Sequence, residues 1–191
     1  MSNYLSDFKR AIDGINPDEV DLLIDYVASI KVNGGRLFVL GVGGSAATAS
    51  HAVNDFRKLC NIEAYSPSDN VSELTARIND DGWASSYVNW LKISKLTPDD
   101  AILVLSVGGG DINKGVSLNL VDAMIYADTT GAAVLSIVGR DGGYAKFISD
   151  VCVMVPVVNN ALVTPITESM HSVILHWVVS DQRLKENPTK W

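Results

Sequence analysis

The stretch from 37 to 55 constrains the fold most, because it has the pattern of a buried strand followed by a glycine turn and a helix. Its apolar run, LFVL at 37–40, is short and rich in β-forming residues, which indicates a buried parallel strand. The glycines of the turn GVGG at 41–44 allow a sharp reversal and a close approach of a ligand to the backbone. Ser45 then suits the N-cap of the helix, where its hydroxyl and the free N–H groups favour an anion. The stretch therefore predicts a binding site for a phosphorylated molecule.

One face of this predicted helix carries a candidate acid/base pair. His51 and Asp55 are four residues apart, so their side chains point in the same direction. They lie about two turns beyond the predicted anion site, which would place chemistry at the far end of a bound molecule. A lone helical histidine is more often only a hydrogen-bonded structural residue, and this alternative stays open on spacing alone.

The same stretch also fits a dinucleotide-binding fingerprint. Gly41, Gly43 and Ala46 satisfy G-x-G-x-x-A. The fingerprint needs an acidic residue at the end of the second strand, about 20 residues further on, and Glu63 lies near that distance. Glu63 stands inside NIEAY at 61–65 and not clearly at a strand end, so we expect no nucleotide cofactor.

Strands that end in glycine-rich loops recur along the chain. Two of these loops are SVGGGD at 106–111 and GRDGG at 139–143, and each follows an apolar run. Repetition of strand, loop and helix predicts an α/β, doubly wound domain of about five parallel strands, with its loops gathered at one edge. The further strand candidates lie at 62–65, 101–105, 133–138 and 151–155.

Two amphipathic segments precede the first strand. Apolar side chains recur at helical spacing between 4 and 30, interrupted by a cap-like Asn16, and predict an N-terminal helical hairpin within residues 1–34. Its apolar surface has two physical uses, contact between subunits or docking on its own domain. The α/β core with a long C-terminal helix would then occupy 35–191, and we expect the chain, 1–191, to form a single domain.

Composition excludes several classes of protein. The net charge is −7 and the sequence pI is about 4.8, so no basic stripe is available for nucleic acid or anionic lipid. Cys60 and Cys152 stand in or beside apolar runs without metal-binding spacing, which indicates reduced thiols and a cytoplasmic protein. The N-terminal segment lacks the apolar core of a signal peptide, and no run reaches the roughly 18 residues of a membrane span.

The remaining histidines lie in a long helical pattern that begins at Ile166. Glu168 and His171 are neighbours at i, i+3, whereas Glu168 and His176 are about 80° apart around the helix and can face one site. His171 and His176 are not expected to share a face. Capping or packing roles for both histidines remain the alternative on this spacing alone.

Taken together, these motifs resemble the sugar isomerase (SIS) domain family and, within it, the phosphoheptose isomerases. Val42 stands where the family's first motif usually has Asn, and Asn79-Asp80, within a predicted polar break at 79–82, is similar to a substrate-side Asn-Asp pair. The other similar segments are GVGGSAATASH at 41–51, the loop at 106–111, VGRDGG at 138–143 and the Thr-Pro-x-x-Glu…His segment at 164–176.

The resemblance implies a SIS fold and the ketose–aldose isomerisation of sedoheptulose 7-phosphate to a heptose 7-phosphate, the start of activated heptose synthesis. It also implies that Asp55, which is Glu in many relatives, is the general base and that His176 is its acid/base partner. The implied substrate-binding residues are Gly43, Gly44, Ser45, Asp80, Ser106, Gly108 and Gly109.

Members of this family that bind zinc would use four of these side-chain positions. The implied metal ligands are His51, Asp55, Glu168 and His176, with Glu168 where many relatives have Gln. The family's usual assembly implies a homotetramer with active sites shared between subunits.

The loop at 106–111 departs from the family pattern, because Val107, Gly108 and Asp111 replace hydroxyl residues. The carboxylate of Asp111 would repel phosphate unless it points elsewhere. A non-catalytic regulator that binds a sugar phosphate, or an assembly protein without turnover, therefore remains the alternative function.

Overall fold

The computed structural model describes residues 3–190 and contains a five-stranded parallel sheet of order β2-β1-β3-β4-β5. This architecture confirms the predicted fold class. Residues 1, 2 and 191, which the single-domain prediction includes, lie outside the described part. The strands are β1 (Leu37–Gly41), β2 (Ala64–Tyr65), β3 (Ala101–Ser106), β4 (Ala133–Val138) and β5 (Val151–Met154).

Helices cover both faces of this sheet. The first face carries α1, α2, α3 and α8, and the second carries α5, α6 and α7. The helices are α1 (Tyr4–Asp13), α2 (Pro17–Val32), α3 (Gly44–Cys60), α4 (Val71–Asp81), α5 (Ser86–Ile93), α6 (Leu118–Thr130), α7 (Gly143–Ile148) and α8 (Val163–Ser180).

Burial on both faces explains why the strands have continuous apolar runs. Leu37 and Val39 of β1 pack in the core under α2, α3 and α8, whereas Phe38 and Leu40 pack under α5 and α6. Successive side chains of a strand point to opposite faces, so a strand covered on both sides needs apolar residues throughout.

The N-terminal hairpin packs mainly on its own chain. Leu23 and Val27 of α2 are fully buried in the core, and the backbone N–H of Met154 in β5 donates to the Glu19 carboxylate at 2.9 Å. Asn16 caps α2 by accepting from the N–H of Asp18 at 3.0 Å, as its position predicted. The hairpin prediction is confirmed, and docking on its own domain accounts for most of its apolar surface.

The helices differ from the sequence prediction at some of their ends and in one whole helix, and α8 begins at Val163 instead of Ile166. Residues 79–81 form the last turn of α4, which ends at Gly82 with φ of 86°, so the predicted polar break begins later than expected. The six-residue α7 was not predicted, because so short a helix shows little periodicity. Ser45 is not the N-cap of α3, since Gly43 occupies that position.

Among residues 3–190, no helix combines the length and the apolar character that a membrane crossing needs.

Candidate active site

An open pocket of about 1270 Å³ lies beyond the carboxyl ends of β1, β3 and β4. Ser45, Ser106 and Gly108, all predicted to bind substrate, line it. The strand order reverses between β1 and β3, and ligands of open parallel sheets bind at such a switch point. The topology therefore gathers side chains from distant parts of the sequence around one cavity.

The Ser45 hydroxyl contacts a buried histidine, His171. The Ser45 side chain is nearly inaccessible, and its hydroxyl oxygen lies 3.4 Å from Nδ1 of His171, while Nε2 of His171 lies 3.1 Å from the carbonyl oxygen of Ile137. Burial lowers the pKa of His171 to about 4, against the weaker opposing effect of hydrogen bonds to the backbone. His171 is therefore neutral near pH 7 and faces away from His176, as its spacing predicted.

The loop after β3 is closed by Ser106, whose hydroxyl oxygen accepts from the N–H of Gly109 at 3.0 Å. Gly109 has φ of 71°, and a Cβ there would lie 1.9 Å from the carbonyl oxygen of Gly142. Only glycine fits, so the two predicted glycine loops pack directly against each other. The N–H of Ala145 in α7 fixes this contact by donating to the carbonyl oxygen of Gly109 at 2.9 Å.

The carboxylate of Asp111 forms an ion pair with a lysine in its own loop. Its carboxylate accepts from Nζ of Lys114 at 2.8 Å and from the N–H of Lys114 at 3.0 Å. The Lys114 side chain is the first of several hydrogen-bonding causes that lower the pKa of Asp111. The repulsion that this carboxylate would exert on a phosphate group is thus offset locally.

Sequence reasoning missed Ser117 as a member of the pocket. An antiparallel bridge between Asp111 and Val116 returns the chain to the cavity, where Ser117 precedes α6 with φ of 53° and lines the pocket. A hydroxyl residue directly before a predicted helix was the available signal. Ser117 adds a hydroxyl group to the pocket that the loop at 106–111 also lines, and in that loop several hydroxyl residues of the family pattern are replaced.

The acid/base residues form a separate cluster between α3 and α8. Nε2 of His51 lies 3.0 Å from Nε2 of His176, and Oδ2 of Asp55 lies 3.2 Å from the first nitrogen and 3.6 Å from the second. The side chains of His51 and His176 are 52% and 57% exposed, and that of Asp55 is 14% exposed. The ligand atoms of all three lie within 4.8 Å of one another, so the cluster can move a proton or hold a metal ion.

Glu168 does not join this cluster in the structure. Its carboxylate lies over the start of α3, where a Cβ on Gly44 would be 2.6 Å from the Glu168 carboxyl carbon. A Cβ on residue 44 would displace this carboxylate, whose negative charge stands at the positive end of the helix dipole. Glu168 as a metal ligand stays a prediction.

The other predicted substrate-binding residues lie outside the lining of the pocket. Gly43 and Gly44 are exposed at the start of α3, and Gly109 is buried behind the loop. Asp80 is exposed near the end of α4, where its Oδ1 accepts from Nδ2 of Asn79 at 2.7 Å. A direct contact of these residues with substrate stays a prediction.

Glu63 does not complete the dinucleotide fingerprint. It precedes β2, which spans Ala64–Tyr65, whereas the fingerprint places its acidic residue after the second strand. The Glu63 carboxylate accepts from the hydroxyl of Tyr65 at 2.9 Å. The glycine turn after β1 therefore lacks the second half of that motif.

No protein-family model matches the chain, but several known proteins are similar to it in sequence. It is 32% identical to the lincomycin biosynthesis protein LmbN of Streptomyces lincolnensis, over 92% of this chain and 66% of LmbN, just under two thirds of that protein. It is 31% identical to the phosphoheptose isomerase of Helicobacter pylori strain P12, over 82% of this chain and 77% of that enzyme.

Solved structures share the fold at lower sequence identity. The phosphoheptose isomerase GmhA from Neisseria gonorrhoeae superposes with a TM-score of 0.80 and 22% identity over 92% of each chain. Because the identity is low, this likeness establishes the fold only. The sequence relationship to the Helicobacter pylori enzyme carries the family assignment: this chain belongs to the phosphoheptose isomerase family.

Proposed function

We propose that this protein is an isomerase that converts sedoheptulose 7-phosphate to D-glycero-heptose 7-phosphate, the first step of activated heptose biosynthesis. The observation that carries the proposal is the contact of His51, Asp55 and His176 across two helices in a chain of this family. A protein that only binds a sugar phosphate has no need of such a cluster.

Ketose–aldose isomerisation requires a base that removes a proton beside the carbonyl group and an acid that serves the two oxygens. Asp55 is the proposed base, and His176, 3.6 Å from its carboxylate, is the proposed acid/base partner. His51 stands six residues beyond Ser45, about 9 Å along the helix axis, so the cluster is remote from the pocket that holds Ser45. Phosphate binding in the pocket would then position an open sugar chain for proton transfer.

The cluster also has the dimensions of a zinc site. Tetrahedral zinc with bonds of about 2.0–2.2 Å separates its ligand atoms by about 3.3–3.6 Å, and the separations of 3.0, 3.2 and 3.6 Å in the cluster are close to this range. We propose that His51, Asp55 and His176 hold a divalent metal such as zinc, with Glu168 as the fourth ligand if its carboxylate leaves Gly44. Such an ion would act as a Lewis acid on the substrate carbonyl.

We further propose a homotetramer with active sites shared between subunits. Trp177 and Val173 of α8 are 44% and 40% exposed, beside the exposed His176. Leu5 of α1 is 76% exposed. A second copy that covered these side chains would exclude water from the acid/base cluster. Sedimentation at micromolar concentration should give a tetramer, and a monomeric mass would contradict this assembly.

The non-catalytic alternative rested on the loss of hydroxyl residues in the loop at 106–111. Ser117 supplies a hydroxyl to the same cavity, so part of the reason for the non-catalytic alternative falls away.

Free thiols at Cys60 and Cys152 support a cytoplasmic location. We also propose that the chain forms one domain.

The direct test is to incubate the purified protein with sedoheptulose 7-phosphate and follow the product by NMR. We expect an aldose heptose 7-phosphate to accumulate and solvent deuterium to enter beside the carbonyl group. The Asp55→Asn variant is the matched control for contaminating isomerases. Equal turnover by this variant, or no aldose signal from the wild type, would contradict the proposed function.

A further inference from the structure

We propose that Arg140 binds the phosphate group of the substrate. Its positive charge compensates for the hydroxyl groups that the loop at 106–111 lacks. This inference rests on the proposed function, because it assumes a phosphorylated substrate in the pocket. No sequence pattern pointed to this residue.

Arg140 stands where it can reach a ligand in the pocket. It follows β4 in the loop at 139–143 and lines the cavity together with Ser106 and Ser117. Its Cδ lies 3.4 Å from the position that a Cβ on Gly108 would occupy, so the arginine stem crosses the loop that carries no side chain there. Nε of its guanidinium group lies 3.8 Å from the same position, so the charged end of Arg140 begins over the glycine loop, in the cavity that the two serines also line.

Within residues 3–190, Arg140 has neither an ion-pair partner nor a side-chain hydrogen bond. The other charged groups of the pocket are engaged, since Lys114 pairs with Asp111 and Asp141 accepts from the N–H of Gly143 at 3.2 Å. The protein carries a net charge of −7, so a phosphate dianion needs a local cation to enter the cavity. Among the pocket-lining residues that the structure describes, Arg140 is the cation left free to bind it, and its planar fork suits phosphate.

The backbone gives an independent reason to assign a role to this side chain. Arg140 has φ of 51°, the left-handed region that glycine adopts without strain and arginine does not. Gly142 in the same loop also has positive φ, with 87°. An arginine at position 140 therefore costs stability that its side chain does not recover through a hydrogen bond or an ion pair within the described chain.

This strain allows a test in which folding and binding change in opposite directions. Arg140→Gly relieves the backbone and removes the charge, so the variant should be as stable as the wild type or more stable. Its affinity for inorganic phosphate, measured by calorimetry, should fall by about 10- to 100-fold, the loss of one charged hydrogen-bonded pair. The KM for sedoheptulose 7-phosphate should rise by a similar factor, and Arg140→Lys should recover part of the affinity.

Lys95 provides a matched control. It is an exposed cation with φ of 53°, it lies outside the pocket, and Lys95→Gly produces the same changes in charge and backbone freedom. This variant should bind phosphate as the wild type does. Unphosphorylated sedoheptulose should bind the wild type and Arg140→Gly equally weakly.

Three results would overturn the inference: phosphate affinity unchanged in Arg140→Gly, equal losses in Arg140→Gly and Lys95→Gly, or no phosphate binding by the wild type. Loss of phosphate affinity in Arg140→Gly alone would support it even if the wild type showed no isomerisation. The failure of the proposed function and the failure of this inference are thus distinguishable.

Discussion

The hydroxyl oxygen of Ser45 lies 3.4 Å from Nδ1 of His171, and the two side chains join the start of α3 to the middle of α8 beneath the pocket. Nε2 of His171 faces the carbonyl oxygen of Ile137 at 3.1 Å, and a carbonyl can only accept. The proton of the neutral ring therefore sits on Nε2, and Nδ1 accepts from the Ser45 hydroxyl. His171 therefore positions Ser45, which lines the pocket, although His171 itself does not line the pocket.

Folding stability should fall in mild acid because of His171. The folded protein binds a proton at this ring only near pH 4, whereas the unfolded chain binds it near pH 6.5, so unfolding is favoured increasingly as pH falls through this interval. The loss between about pH 7 and about pH 4 is about 3 kcal/mol from this group. Urea unfolding across this range measures it. His171→Asn should show a shallower pH dependence than the wild type, and parallel profiles would contradict the assignment.

Asp55 and His176 should be separable from substrate binding. Asp55→Asn and His176→Gln each keep the approximate size of the side chain, so the fold should persist while turnover falls by about 10²-fold or more. Binding of sedoheptulose 7-phosphate should change far less, because the proposed phosphate site lies in the pocket that holds Ser45, apart from the cluster. Asp13→Asn, an exposed carboxylate of α1, controls for the change in net charge. Near wild-type isomerisation by both folded variants would make the cluster structural.

Metal binding should depend on His51. The wild type should bind about one zinc ion per chain in equilibrium dialysis, and His51→Gln should weaken this by tenfold or more, because it removes one of three clustered ligands. Chelation should lower turnover and also lower the free energy of unfolding in urea, because an ion that binds the folded chain stabilises it by mass action. Full activity after exhaustive chelation, with no metal found by elemental analysis, would contradict this prediction.

Asp100 should be a stability residue without a role in the reaction. It is 2% exposed and its carboxylate accepts from Arg36 Nε at 3.0 Å, from Arg36 Nη2 at 2.7 Å and from the N–H of Thr97 at 2.8 Å. Asp100→Ala would leave the Arg36 guanidinium without its carboxylate partner, although the guanidinium still donates to the carbonyl oxygens of Ser94 and Lys95, and we expect a loss of about 3 kcal/mol in urea unfolding.

This pair joins the starts of β1 and β3, at the sheet edge opposite the pocket. Turnover per folded molecule should therefore remain close to that of the wild type, and Asp13→Asn should change neither quantity. A loss below about 1 kcal/mol would show that the pair contributes little.

Local sequence patterns determined the strands, most helices and the position of the glycine loops. The runs of β1, β3 and β4 are mostly apolar because both faces of the sheet are covered, with Ser136 as the polar residue inside β4. This pattern can be read from the sequence without knowledge of the fold. His51 and Asp55 were recognisable as a pair because their spacing on one helix fixes their direction.

Tertiary structure decided every relationship between residues distant in sequence. The spacing around α8 allowed Glu168 and His176 to share a site, but the packing of α8 on α3 brings His176 to His51 and sends Glu168 to Gly44. Ser117 and Arg140 became members of the pocket only when parallel strands brought their carboxyl ends together. Helical period and strand alternation fix direction within one element, whereas contacts between elements depend on how their apolar faces pack, which no local pattern encodes.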